Sequence, residues 1–156
     1  MDAARRAALV AQYEAGPDVL RSAVDGLTEA DLDRAPPDGG WTAREVVHHV
    51  ADSEMTSAIR LRRLIAEDEP LISGYDGDEF ARRLHYADRP IEPALAAVEA
   101  ARQTSAQILH RLREDEWTRM GTHSDSGTYG VEEWLEIYAV HCDDHAEQIR
   151  HAVDAT

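Results

Sequence analysis

A chain of 156 residues with 31 Asp plus Glu against 16 basic residues carries a formal net charge of −15. That balance is repelled by phosphate backbones and anionic lipid surfaces, and it argues against nucleic-acid and membrane partners. The length suits one domain over 1–156 with a core that needs no staple. A single cysteine, Cys142, rules out an internal disulfide, and no apolar run reaches the roughly 18 residues of a membrane span, so a soluble, cytoplasmic protein is expected.

Apolar positions at Leu9, Tyr13, Leu20, Val24 and Leu27, with Gly16 and Pro17 between them, follow a helical period over 4–26. Pro17 lacks an N–H and crowds the preceding turn, which predicts a kink or a split there. Residues 33–40 are a loop by composition. Trp41 and Thr42 open a second helix, in which Thr42-Ala-Arg-Glu45 is a capping box and Trp41 packs before the cap. Its inward stripe runs Val46, His49, Val50, Ser53, Ser57, Leu61, Leu64, to an end near Glu67 ahead of Pro70. That phase turns His49 inward and His48 about 100° away from it.

Residues 68–93 form a long crossing connection with a turn at 73–77 and a short helix over 78–87. A third long helix over 91–113 carries Leu95, Val98, Ala101, Ser105, Ile108, Leu109 and Leu112 inward. Residues 121–130 are a second polar loop, and the last helix runs from near Gly130 to Val153 with Glu133 in its first turn. Four long amphipathic segments without a strand or a repeat predict an all-α, up-down four-helix bundle with one long connection between helices 2 and 3. Its second and fourth helices face one another.

His141 and His145 stand four residues apart, so one face of the last helix presents two imidazoles a turn apart. The plain alternative is a pair of surface histidines. Against it, the same face carries Trp134, Tyr138 and Gln148, and an unpartnered inward His49 on another helix would be costly. Three inward histidines from two helices suit a zinc, nickel or iron(II) ion, and three protein ligands leave coordination positions open, as catalytic sites do. Cys142, next to His141, points off the ligand face and is read as a packing residue. Asp52 and Asp144 are the candidate catalytic carboxylates, to orient the histidines or relay protons. Glu54 and Arg60 are placed to form a salt bridge or to hold substrate.

The segments resemble the DinB superfamily, and within it the YfiT-like metal-dependent enzymes, over nearly the whole chain. The likeness rests on Trp41-Thr42, His49-Val-Ala-Asp-Ser-Glu54, Arg60-Leu-Arg-Arg-Leu, Ser73-Gly-Tyr-Asp76, Gly121-Thr-His123 and His141-Cys-Asp-Asp-His145-Ala-Glu-Gln148. It implies a DinB-like four-helix bundle with a divalent metal, nickel or zinc first and iron or manganese as alternatives, on His49, His141 and His145. Arg60, His123 and Tyr138 then become candidate substrate contacts. Some relatives are transferases of low-molecular-weight thiols, homodimers are frequent, and a small-molecule substrate is implied.

Three functions follow as expectations. The first is metal activation of a small thiol, or of water, for attack on a small electrophile. The second is hydrolysis of a small ester or amide. The third is a non-catalytic metal- or small-molecule-binding stress protein.

Overall fold

The computed structural model describes residues 1–37 and 39–154; Asp38, in the loop expected at 33–40, lies outside them. Four long helices carry the architecture: α1 (Ala3–Val24), α3 (Ala43–Ala66), α5 (Glu92–Leu109) and α7 (Val131–Asp154), with α2 (Glu29–Leu32), α4 (Gly77–Arg83) and α6 (Glu114–Trp117) as short pieces in the connections. Among the long helices α1 packs on α7 and α5, and α3 packs on α5 and α7. The order around the bundle is therefore α1, α7, α3, α5. Chain neighbours α1 and α3 sit across the diagonal, as do α5 and α7. This places α3 beside α7, where Ser53 meets His141 and Ser57 meets Trp134, an antiparallel pairing.

Local chemistry sets the starts of the helices. Thr42 and Glu45 close the expected capping box of α3, and Thr28 and Asp31 close another on α2. Pro93 stands in the first turn of α5, where a missing N–H costs nothing. Among the described residues, no helix is long and apolar enough to cross a membrane.

Several expectations are corrected. Pro17 does not split its helix: α1 is continuous with Pro17 inside it. Proline removes the bond to the Tyr13 carbonyl four residues back, and Arg102 Nη1 donates to that carbonyl at 2.6 Å. Strands are present as well: β1 (Leu71–Ile72) pairs parallel with β2 (Met120–His123), which pairs antiparallel with β3 (Gly127–Gly130). The expected 121–130 loop is thus a hairpin, with Gly127 at φ +83° where β3 leaves the tight turn. Strands this short carry too few residues to display an alternating pattern. The expected helix over 78–87 divides at His85, whose left-handed φ of +56° separates α4 from a 3₁₀ turn over Tyr86–Asp88. The third long helix stops at Leu109, short of 113.

Two apolar clusters fill the bundle. One gathers Leu9, Tyr13, Leu61, Leu64, Trp134 and Leu135; the other gathers Leu20, Val46, Val50, Val98, Cys142 and Ile149. Along α1, α3 and α5 small or polar residues separate the clusters: Gly16, then Ser53, Glu54 and Ser57, then Arg102 and Ser105. That polar layer abuts the histidines.

Candidate metal centre

His49 comes from the second turn of α3, and His141 and His145 from the middle of α7. Ring centroids are 4.5 Å apart for His141 and His145, 4.8 Å for His49 and His145, and 5.9 Å for His49 and His141. One nitrogen from each ring lies within 4.8 Å of the other two. The three expected histidines are brought together, each half-buried.

The far nitrogens are held differently. His141 Nδ1 donates to Glu54 Oε1 at 3.0 Å, and His145 Nδ1 donates to Gln148 Oε1 at 2.8 Å. Each bond occupies Nδ1 with a proton and leaves Nε2 as the lone-pair nitrogen. His49 Nδ1 is buried and has no hydrogen-bond partner among the described residues. Three half-buried imidazoles that bring one nitrogen each to within 4.8 Å, two of them with Nδ1 already occupied, are the donor set of a borderline divalent cation. Burial, then the charges His145 and His141 would carry, pushes His49 down to about 3. Burial, then His141, lowers His145 as well. His49 and His145 thus favour the neutral form that ligates metal.

The surroundings roof the cluster. The Trp41 ring lies 4.7 Å from that of His49. Gly77, at the start of α4, is close enough that a Cβ there would sit 3.3 Å from Trp41 and 3.8 Å from His49 Nδ1. Toward the far end of α3, the Ser53 hydroxyl is 3.4 Å from His141 Nε2 and contacts the Tyr138 hydroxyl. Arg60 donates to Tyr138 Oη at 3.3 Å and to the Ser73 carbonyl at 2.7 Å, with its guanidinium 5.8 Å over Tyr75. Ser53, Tyr138 and Arg60 form a polar path leading from the histidines. Burial raises the Tyr138 phenol above its ordinary pKa, so it remains a donor.

Other expected site residues fall elsewhere. Asp52 accepts from Tyr86 Oη at 2.6 Å, on the side of α3 that carries His48, away from the three rings. His48 is only 1% exposed, because the long connection covers it and the Arg89 carbonyl takes its Nε2 at 3.0 Å. Asp144 is exposed, and its charge acts on His145. His123 ends β2 rather than sitting in a loop; its ring lies 5.5 Å from Tyr129, and its Nδ1 accepts from the Asp125 amide. Glu54 and Arg60 do not pair: Glu54 binds Arg102 at 2.7 Å with both side chains fully buried. Cys142 is fully buried in the apolar core, and desolvation pushes its thiol up to about 12.

Sequence reasoning overlooked Arg102, although its signal is present. It interrupts the apolar stripe of α5 between Val98 and Ser105, and a guanidinium on an inward face demands a buried partner. Gln148 and Glu54 were visible as motif members, but their acceptor roles depend on side-chain direction, which spacing alone leaves open.

The chain matches the DinB superfamily over residues 12–149. It is 36% identical over 133 residues to a protein of Oceanobacillus iheyensis named "putative metal-dependent hydrolase", covering 85% of this chain and 77% of that one. A Bacillus cereus protein of the same description is 30% identical over 90% of this chain and 80% of its own length. The solved structure of YfiT from Bacillus subtilis, described as a probable metal-dependent hydrolase with an unusual four-helix bundle topology, superposes with a TM-score of 0.93. It is 28% identical and covers 99% of this chain and 89% of that one. With the bundle, the roofed histidine cluster and this match over most of its length, the chain belongs to the DinB superfamily.

Proposed function

We propose that the protein is a metal-dependent hydrolase of a small ester or amide, with His49, His141 and His145 holding one divalent ion, zinc or nickel. The carrying observation is the convergence of three imidazole nitrogens within 4.8 Å, two of them with their Nδ1 already occupied. The relatives' names support the same reading. A bound ion of this kind supplies Lewis acidity and a water that ionises near neutral pH.

Hydrolysis joins the water oxygen to the acyl carbon, breaks the bond to the alcohol or amine, and delivers a proton to that leaving group. Asp144, exposed at the rim and charged beside His145, is the carboxylate positioned to carry the proton. Arg60 and Tyr138 orient the substrate's polar end, and Trp41 and the start of α4 exclude water on the His49 side. Cys142 plays no nucleophilic part, since its thiol stays protonated in the core. A low-molecular-weight thiol in place of water makes the same site a transferase.

Tag-free protein should bind roughly one equivalent of Zn²⁺ or Ni²⁺. It should hydrolyse members of an ester and amide panel, lose that activity to a chelator and regain it on metal addition. His49→Ala should abolish metal binding while His48→Ala retains it. Stoichiometry far below one, with no gain on adding either ion, defeats the metal claim; metal-dependent consumption of bacillithiol, mycothiol or glutathione without hydrolysis moves the reading to the transferase.

A further inference from the structure

All four long helices meet at one buried ionic group. Arg102 on α5 donates through Nη1 to the Tyr13 carbonyl of α1 at 2.6 Å, and through Nη2 to Glu54 Oε1 of α3 at 2.7 Å and to the Tyr138 carbonyl of α7 at 2.8 Å. Its guanidinium lies 4.3 Å over the Tyr13 ring. Space for it exists because α1 has glycine at Gly16, where a Cβ would come within 2.8 Å of Arg102 Cζ. The carbonyl it receives from α1 is the one Pro17 releases.

Glu54 Oε1 is shared. The same oxygen accepts from Arg102 and, at 3.0 Å, from His141 Nδ1. The other two histidines lack this arrangement: a neutral amide on the same helix holds His145, and His49 Nδ1 has no partner among the described residues. One ligand candidate is therefore aimed by a carboxylate that is itself pinned from a different helix.

We infer that Glu54 and Arg102 are positioning residues that fix the orientation and the Nδ1–H tautomer of His141, and so set metal affinity. Arg102 neutralises Glu54 and holds its oxygen still; Glu54 in turn keeps the proton on Nδ1 and the Nε2 lone pair facing the cluster. Carboxylates behind metal-ligating histidines act this way, and removing one typically weakens metal binding about 10–100-fold. A pair that only staples helices would affect stability and leave His141 and the metal untouched. The inference rests on the three-histidine metal reading proposed above.

Two measurements test it, neither needing turnover. Long-range ¹H–¹⁵N spectra of the metal-free wild-type protein above neutral pH should show His141 protonated on Nδ1 and bare on Nε2; a proton on Nε2 overturns the inference without any variant. Competition with a chromophoric chelator should give E54Q a Zn²⁺ affinity about 10–100-fold weaker than wild type, with far-ultraviolet spectra and a cooperative melt retained. R102M should weaken Zn²⁺ in the same direction. Unchanged affinity in a folded E54Q beside a wild type that binds Zn²⁺ overturns the positioning role alone. A wild type that binds no Zn²⁺ defeats the metal reading instead, and the tautomer spectrum still decides how His141 is held.

Discussion

Two buried guanidiniums in this molecule lead different lives. Arg102 and its partner Glu54 are both 0% exposed in their side chains. Arg44, at the start of α3, is 6% exposed, but its partners Glu29 and Asp33 are 81% and 54% exposed, and it also donates to the Arg89 carbonyl. For Arg44, water screens the attraction and solvates whatever is left behind when a partner goes. For Arg102 nothing solvates the remainder. The lesson is that an ion pair's influence depends less on its length than on where its second member stands.

Breaking that contrast gives graded outcomes. Arg102→Met should cost about 3–5 kcal/mol in chemical denaturation, because it strands the Glu54 charge in the core. Glu54→Leu with Arg102→Met together should cost clearly less than the single change, since both charges leave at once; an additive double variant contradicts the pairing. Gly16→Ala should destabilise by about 1–3 kcal/mol through overpacking. The new Cβ meets Arg102 and also falls 3.0 Å from Cys142 Cβ, and the contact outweighs alanine's better helix propensity. Arg44→Ala should cost about 1 kcal/mol, in line with pairs whose partners face water, read as a small shift of the same denaturation midpoint.

The smallest effect belongs to the surface. The Arg63 hydrogen bond holds the Glu67 carboxyl below its ordinary value. A depressed carboxylate pKa contributes stability above the unfolded value of about 4.3 and loses it as pH falls through the folded one. Glu67→Gln should therefore lower the midpoint slightly at pH 7 and match wild type in acid. A gap that persists in acid would point to packing rather than charge.

The bundle and the histidine triad were legible because both rest on period. The stripe through Val46, His49 and Val50 and the interval between His141 and His145 fix the direction of each side chain before any contact is known. The hairpin was illegible because its four-residue strands are too short to show an alternating pattern, and the strand β1 that extends it comes from far away in sequence. Asp52 and Glu54 show the same limit within one turn of helix. Two residues apart, they point to different neighbours: Asp52 is taken by Tyr86, which the long connection delivers, and Glu54 by Arg102 from α5. Phase gives direction, and tertiary structure decides what waits there.

Pro17 carries a further consequence. An isolated peptide of residues 3–24 has no backbone donor of its own for the Tyr13 carbonyl, so its helix should fray between Tyr13 and Pro17 even where its ends are helical. In the folded chain that donor arrives from α5 at 2.6 Å. The continuity of α1 is then not a local property of its own sequence. It is completed by docking, and the residue that completes it is the same one that steadies the carboxylate behind His141.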